Sequence, residues 1–199
     1  MKLYHFASGD SGAGTTAGMG PGAGRFFCES LAGYLTSAGR EAPLSILRGE
    51  TPDMAAGPYG KPYLSGPEFE GVFFSRSNTR GHLVVCFSEG EIGVDCENTE
   101  ARPGIESRYE SIAGRFFTED ERAYIAPRAP GAAGRFFEIW TAKEAYMKYT
   151  GRGFAEGFRS FSVFRLPGAK IVTGRLKDAP HVVYSVCLGS AGAEASYVS

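Results

Sequence analysis

The chain is poor in histidine and has no paired cysteine spacing. Its 199 residues include three histidines and four cysteines. Cys28, Cys86, Cys96 and Cys187 form no C-x-x-C spacing and none pairs with a nearby histidine, which argues against a zinc site. Cys86, Cys96 and Cys187 fall in apolar, strand-like runs and read as small buried hydrophobes. No apolar run approaches membrane-spanning length, and the opening MKLYHFASGD has no stretch apolar enough for a signal peptide. The expectation is a cytoplasmic protein with reduced thiols. A net charge of -1 offers no basic excess for nucleic acid or a membrane surface. The glycine-rich residues 8–24 lack the G-x-x-x-x-G-K-[ST] pattern, so they read as a connector rather than a phosphate loop.

What is present suffices for a core: 43% of residues are hydrophobic and 13% aromatic. Residues 2–7 read as a strand. Residues 26–38 read as a helix, with Phe27, Leu31, Tyr34 and Leu35 on one face and Gly39 just past its end. Residues 57–71 are rich in proline and glycine and read as irregular. Strands at 72–75 and 82–87 flank a turn at 78–81, and Glu89-Gly90 leads into a third strand of the meander at 92–97. Residues 105–126 are mostly helical, with a capping box at Thr118-Glu119-Asp120-Glu121 starting a new helix and Pro127 and Pro130 stopping it. A further helix spans 135–149 and ends at Gly151. Strands at 158–166, 170–174 and 181–188 complete the chain. Runs of strands followed by runs of helices favour α+β with antiparallel sheets over a doubly wound fold. Gly-Arg-Phe-Phe occurs at 24–27, 114–117 and 134–137, too irregularly spaced to define a repeat.

Two segments carry chemistry. In a strand over 92–97, Asp95 and Glu97 share a face and Cys96 turns away. In a helix over 135–149, Glu144 and Lys148 are neighbours at i, i+4, on a stripe that begins at Trp140. Three carboxylates with a lysine suit a hard divalent cation beside an anionic phosphate, which is a basis for phosphoryl transfer. Without a cation the three acids would repel one another and one would tend to stay protonated. The plainer alternative is a solvated D-x-E edge and a surface Glu–Lys pair worth ~0.3–0.5 kcal/mol. Ile92 and Val94 weigh against it, because they imply a buried strand where unpaired carboxylates are costly. For Lys143, contact with a ligand and a solvated lysine both stay open.

Taken in order, Gly93-Val94-Asp95-Cys96-Glu97, then Arg115-Phe116-Phe117-Thr118-Glu119-Asp120-Glu121, then Trp140-Thr141-Ala142-Lys143-Glu144-Ala145-Tyr146-Met147-Lys148 resemble the signature set of the 4′-phosphopantetheinyl transferases. Gly60-Lys61-Pro62 and Phe73-Phe74-Ser75-Arg76-Ser77 resemble that family's upstream motifs. The resemblance covers roughly residues 60–163 and suggests the surfactin-synthetase-activating type rather than the shorter trimeric type. It implies a fold of two similar α+β halves, here residues 1–97 and 98–199, related by a pseudo-two-fold axis with the active site between them. It implies Mg²⁺ on Asp95, Glu97 and Glu144, with Glu144 helping to deprotonate the attacking serine directly or through water. Lys148 would contact the transferred phosphate, and Lys61, Ser75 and Arg76 the phosphates of coenzyme A. The family usually has Ser-His-Ser where this chain has Ser75-Arg76-Ser77; arginine binds phosphate without titrating.

The implied reaction moves the phosphopantetheine arm of coenzyme A onto a serine of an apo acyl or peptidyl carrier protein, releasing adenosine 3′,5′-bisphosphate. Two other readings compete. One is a non-catalytic coenzyme A or nucleotide-binding module with a degenerate site. The other is a Mg²⁺-dependent phosphodiesterase, disfavoured because no histidine or tyrosine nucleophile accompanies the acids. No nucleic-acid or membrane partner is expected, and two halves that complete one site favour a monomer.

Overall fold

A computed structural model describes residues 1–7, 21–100, 105–126, 129–153, 157–190 and 196–198. Helices and antiparallel sheets mix in an α+β architecture. The first sheet has the order β4-β5-β1-β9, formed by Phe73–Thr79, His82–Ser88, Lys2–Ala7 and Ser196–Val198. A second sheet has the order β6-β8-β7, formed by Ile92–Asn98, Ala179–Gly189 and Ala169–Leu176. β2 (Met54–Ala56) and β3 (Pro62–Leu64) make a separate small hairpin. All pairings are antiparallel except β1 with β9, which is parallel and brings the last strand back to the first sheet.

Alternation along the strands builds the layers. Leu3, Val84 and Cys86 of the first sheet pack against Ile92, Val94, Cys96, Val182, Val186 and Leu188 of the second. On the outer face of the first sheet, Phe74, Val85 and Phe87 meet Phe27, Leu31 and Leu35 of α1 (Pro21–Ser37). On the outer face of the second, Cys187 and Ile171 meet Ala145 and Tyr146 of α5 (Ala132–Thr150). The short α2 (Leu44–Leu47) contributes Ile46 to the first core. α3 (Ile105–Phe116) and α4 (Glu119–Ile125) pack Tyr109, Ala113, Phe117 and Ile125 against Phe136, Phe137 and Ile139 of α5. No helix among the described residues is long and apolar enough to cross a membrane.

Several elements depart from expectation. α1 begins at Pro21, so residues 21–24 are helical rather than connector; proline suits a first helical turn, where the missing N–H has no partner to lose. Residues 8–20, and Pro127 with its expected stop, lie outside the described residues. β4 runs on to Thr79, which pairs with His82, so the turn is only Arg80-Gly81. β6 does not continue the meander: it pairs with β8, not β5. A period of two assigns faces but not partners. Within 57–71, β3 and a 3-10 turn at Pro67–Phe69 interrupt the irregular run. Residues 158–166 form no strand. Their backbone groups are taken by side chains instead: Phe158 and Phe161 carbonyls accept from Lys143, and the Val163 N–H donates to Glu121.

One contact positions the site. β6 turns Gly93, Asp95 and Glu97 away from the inner core and toward α5. A Cβ on Gly93 would overlap the Ala145 carbonyl and the Tyr149 amide. The missing side chain lets the helix backbone lie directly on the strand. Gly93→Ala is expected to destabilise the fold by about 3 kcal/mol or more, because the obstructing atoms are backbone and cannot swing aside. Urea unfolding would measure it; a loss near zero would show that α5 can lift away freely.

Candidate active site

Asp95 and Lys148 meet where α5 crosses β6. The Lys148 Nζ donates to Asp95 Oδ1 at 2.8 Å and approaches the Arg76 carbonyl at 3.5 Å. The Asp95 side chain is 9% exposed and that of Lys148 33%, so the acid is covered while the ammonium reaches solvent. Ser77 Oγ donates to the same Oδ1 at 2.8 Å. Asp95 Oδ2 is buried with no hydrogen-bond partner. One pleat along, half-buried Glu97 accepts from Thr79 Oγ1 at 3.3 Å.

Lys148 and Glu144 line an open cleft of about 480 Å³. Its other walls are Tyr59, Gly60, Lys61 and Pro62 at the β2–β3 turn, Phe74, Ser75 and Arg76 of β4, Met147, and Gly151, Gly153 and Phe158 beyond α5. Burial raises the Glu144 carboxyl from an ordinary 4.5 to about 7, with Asp95 and, more weakly, Glu97 adding to the rise and Lys148 opposing it. The three acids are therefore within electrostatic reach of one another. They do not form a ready coordination shell: among the described residues no three carboxylate, histidine or cysteine side chains stand close enough to hold one ion. Like charges in a partly buried site stay apart, and the Lys148 ammonium takes up the counter-charge on Asp95.

The donor set nonetheless suits Mg²⁺. It consists of carboxylate oxygens, one of which is buried and unsatisfied, and an acid held protonated only by its surroundings.

The other expected ligand residues divide. Ser75 lines the cleft, but its Oγ accepts from the Val94 amide at 3.0 Å. Arg76 lines the cleft with no hydrogen-bond or ion-pair partner for its guanidinium among the described residues. Lys61 also lines it, yet its ammonium already donates to Glu91, to the Ile92 carbonyl at 3.1 Å and to the Tyr149 carbonyl at 3.1 Å. All three of its hydrogens are thereby used, one on an otherwise open carbonyl in the last turn of α5. The C-cap that follows, Gly151, has φ 66° and packs against the Lys61 stem.

Lys143 is neither of the alternatives left open for it. Its side chain is fully buried and paired with the equally buried Glu121 at 2.9 Å. It also donates to the Phe158 and Phe161 carbonyls at 2.6 and 2.8 Å and lies over the Phe161 ring. Burial lowers its pKa, against the pull of Glu121. Glu121 in turn accepts from the Thr118 and Val163 amides, so the capping box doubles as an anchor for residues 158–163. Sequence reasoning missed this pair; a charged residue one helical turn from buried Ile139 was the available signal.

Comparison with known proteins agrees with these motifs. The sequence model described as "4'-phosphopantetheinyl transferase superfamily" matches residues 91–198. A putative 4′-phosphopantetheinyl transferase of Synechocystis sp. is 34% identical over 103 residues, 51% of this chain and 40% of that protein. The 4′-phosphopantetheinyl transferase psf-1 of Bacillus pumilus is 33% identical over 135 residues, 66% of this chain and 54% of that protein. The 4′-phosphopantetheinyl transferase Sfp of Bacillus subtilis is 30% identical over 106 residues, 53% of this chain and 44% of that protein. This chain spans about half the length of the curated relatives it matches. The chain belongs to the 4′-phosphopantetheinyl transferase superfamily. Transferases of Aneurinibacillus and Bacillus are among the relatives it matches.

Two predictions follow from the charges. Lys143→Met is expected to cost about 3–5 kcal/mol, since it strands Glu121 without a counter-charge. The double variant with Glu121→Leu should recover part of that loss in chemical unfolding. For Glu144 the native state keeps its proton to about pH 7, while the unfolded chain releases it near 4.5. The stability from this group is therefore present below 4.5, falls as pH rises to 7, and is flat above. Glu144→Gln should match the parent at pH 4 and exceed it at pH 8 by up to about 3 kcal/mol. An equal difference at both pH values would remove Glu144 from the acid cluster.

Proposed function

We propose that the chain transfers the 4′-phosphopantetheine arm of coenzyme A to a serine hydroxyl of an apo acyl or peptidyl carrier protein. The observation that carries the reading is the meeting of Asp95, Lys148 and Glu144 beside the cleft, in a chain of this superfamily. The serine oxygen forms a bond to the phosphorus that bears pantetheine. The bond from that phosphorus to the bridging oxygen breaks, and adenosine 3′,5′-bisphosphate leaves with the electron pair. Mg²⁺, held by Asp95, Glu97 and Glu144, would supply neutralisation of the pyrophosphate charge.

The chain's own groups do the rest. Glu144, on the cleft wall, takes the serine proton directly or through water. Lys148, already at the cleft wall, turns its ammonium to the transferred phosphate. Arg76, with its guanidinium unpaired among the described residues, meets a coenzyme phosphate bidentately. Ser75 and Lys61 stand on the same wall; Ser75 keeps a hydroxyl hydrogen for a remaining phosphate, and Lys61 reaches one by exchanging one of its three acceptors. On this reading the site is shared by halves 1–97 and 98–199 of one chain, which supports a monomer, and the enzyme is taken to be cytoplasmic.

Incubation with coenzyme A, Mg²⁺ and a panel of apo carriers should add the mass of one phosphopantetheine arm to the carrier, and Glu144→Gln should abolish the gain while leaving the fold intact. Coenzyme A binding by calorimetry with no carrier modified would instead mark a binding module with a degenerate site. Hydrolysis of coenzyme A without any carrier would mark a phosphodiesterase.

A further inference from the structure

β4 and β6 are edge strands of different sheets, yet they run side by side. They exchange no ladder. The Ser75 hydroxyl accepts from the Val94 amide, and the Thr79 hydroxyl accepts from the Asn98 amide, both at 3.0 Å and with the same 19-residue offset. The constant offset means that the strands run in the same direction. Between these two fixed points lies Ser77, buried like Ser75 at 7% exposure. Its hydroxyl touches no backbone amide; it donates to Asp95 Oδ1.

We propose that Ser77 is a positioning residue for the cation site: it holds Asp95 by one oxygen so that the other is presented, bare, to Mg²⁺. This rests on the metal reading above and goes beyond it, because no acid–metal contact involves β4. The argument is one of division between two oxygens. Oδ1 receives two donors, Ser77 Oγ and Lys148 Nζ, each at 2.8 Å. Oδ2 receives none and is buried. A carboxylate free to rotate about its last bond would share its donors between both oxygens and would not leave one stranded.

Ser77 is fixed in its turn. Its backbone is locked in the β4–β5 ladder opposite Val84. Thr79 repeats the arrangement on Glu97 one pleat further along. Hydroxyls at alternate positions of one sheet's edge thus orient the acids of the other.

The test uses Mn²⁺ as a spectroscopic substitute for Mg²⁺, titrated into the full chain and followed by electron paramagnetic resonance, with no substrate present. Ser77→Ala should weaken Mn²⁺ binding about tenfold or more, the usual effect of removing a group that orients a ligand. In turnover the same variant should raise the Mg²⁺ concentration needed for half-maximal rate while leaving the KM for coenzyme A within about twofold. Ser77→Thr, which keeps the hydroxyl, should restore Mn²⁺ affinity. Ser77→Cys, nearly isosteric but a poor donor, should lose it, and decides the matter if the alanine variant does not fold. A folded alanine or cysteine variant that binds Mn²⁺ as tightly as the parent overturns the role of Ser77 and leaves the proposed function standing. A parent that binds no Mn²⁺ overturns both.

Discussion

The site depends on one backbone-to-backbone approach. α5 rests on β6 at Gly93 with no side chain between them. Two residues further along the strand, the same face carries Asp95. Three residues further along the helix from Ala145, the contacted face carries Lys148. Once the axes are pressed together at Gly93, the acid and the ammonium reach 2.8 Å without either side chain spanning a gap. A larger residue at 93 would lift the helix and turn this hydrogen-bonded pair into two separate charges. Lys61 reinforces the approach from the end, since a single ammonium joins the start of β6 at Ile92 to the end of α5 at Tyr149.

α5 carries two lysines with opposite fates, and the contrast explains how the helix serves both fold and site. Lys143 is fully buried, with a carboxylate and two carbonyls as its partners. The two carbonyls belong to a segment that lacks a ladder, so the ammonium substitutes for strand hydrogen bonds that residues 158–163 do not make. Lys148 lies little more than a turn further on, where the helix reaches the cleft, and keeps a third of its side chain in solvent. The first cannot be withdrawn without stranding Glu121. The second can exchange Asp95 for a phosphate if a cation takes over the acid, because its other close contact is a long one to the Arg76 carbonyl. A buried pair fixes the cleft wall at Phe158; a half-open pair supplies its chemistry.

Much of this was legible in the residues. Alternation in Ile92–Glu97 gave the correct faces, with Cys96 in the core and Asp95 turned to the helix. The i, i+4 spacing put Glu144 and Lys148 on one stripe. The S/T-x-x-E pattern marked the start of α4. What was not legible depends on partners rather than periods. Nothing local to β6 says that it leaves the β4–β5 hairpin to pair with β8. Residues 158–166 alternate well enough for a strand, but the acceptors and donors that occupy their backbone lie on α4 and α5. Lys143 looked like a surface or ligand lysine because its partner, Glu121, was already accounted for as a capping residue. One carboxylate serving two purposes is invisible to a reading that assigns each residue a single role.

The placement at a seam also has a physical reason. Inside a continuous sheet, the backbone groups flanking Asp95 would be taken on both sides by ladders, and the neighbouring strands would crowd its side chain. At the β4–β6 boundary the ladder is absent on one side, and three hydroxyls take over the work of joining the strands. At these points a side-chain hydroxyl takes the place of a direct N–H to C=O bond. Apolar Val94 and Cys96 seal the opposite face of β6. This boundary also leaves Asp95 short of donors, and the low polarity of the sealed face makes that shortage felt. The missing ladder at this boundary thus goes with a demand for positive charge at Asp95, which Lys148 meets on Oδ1.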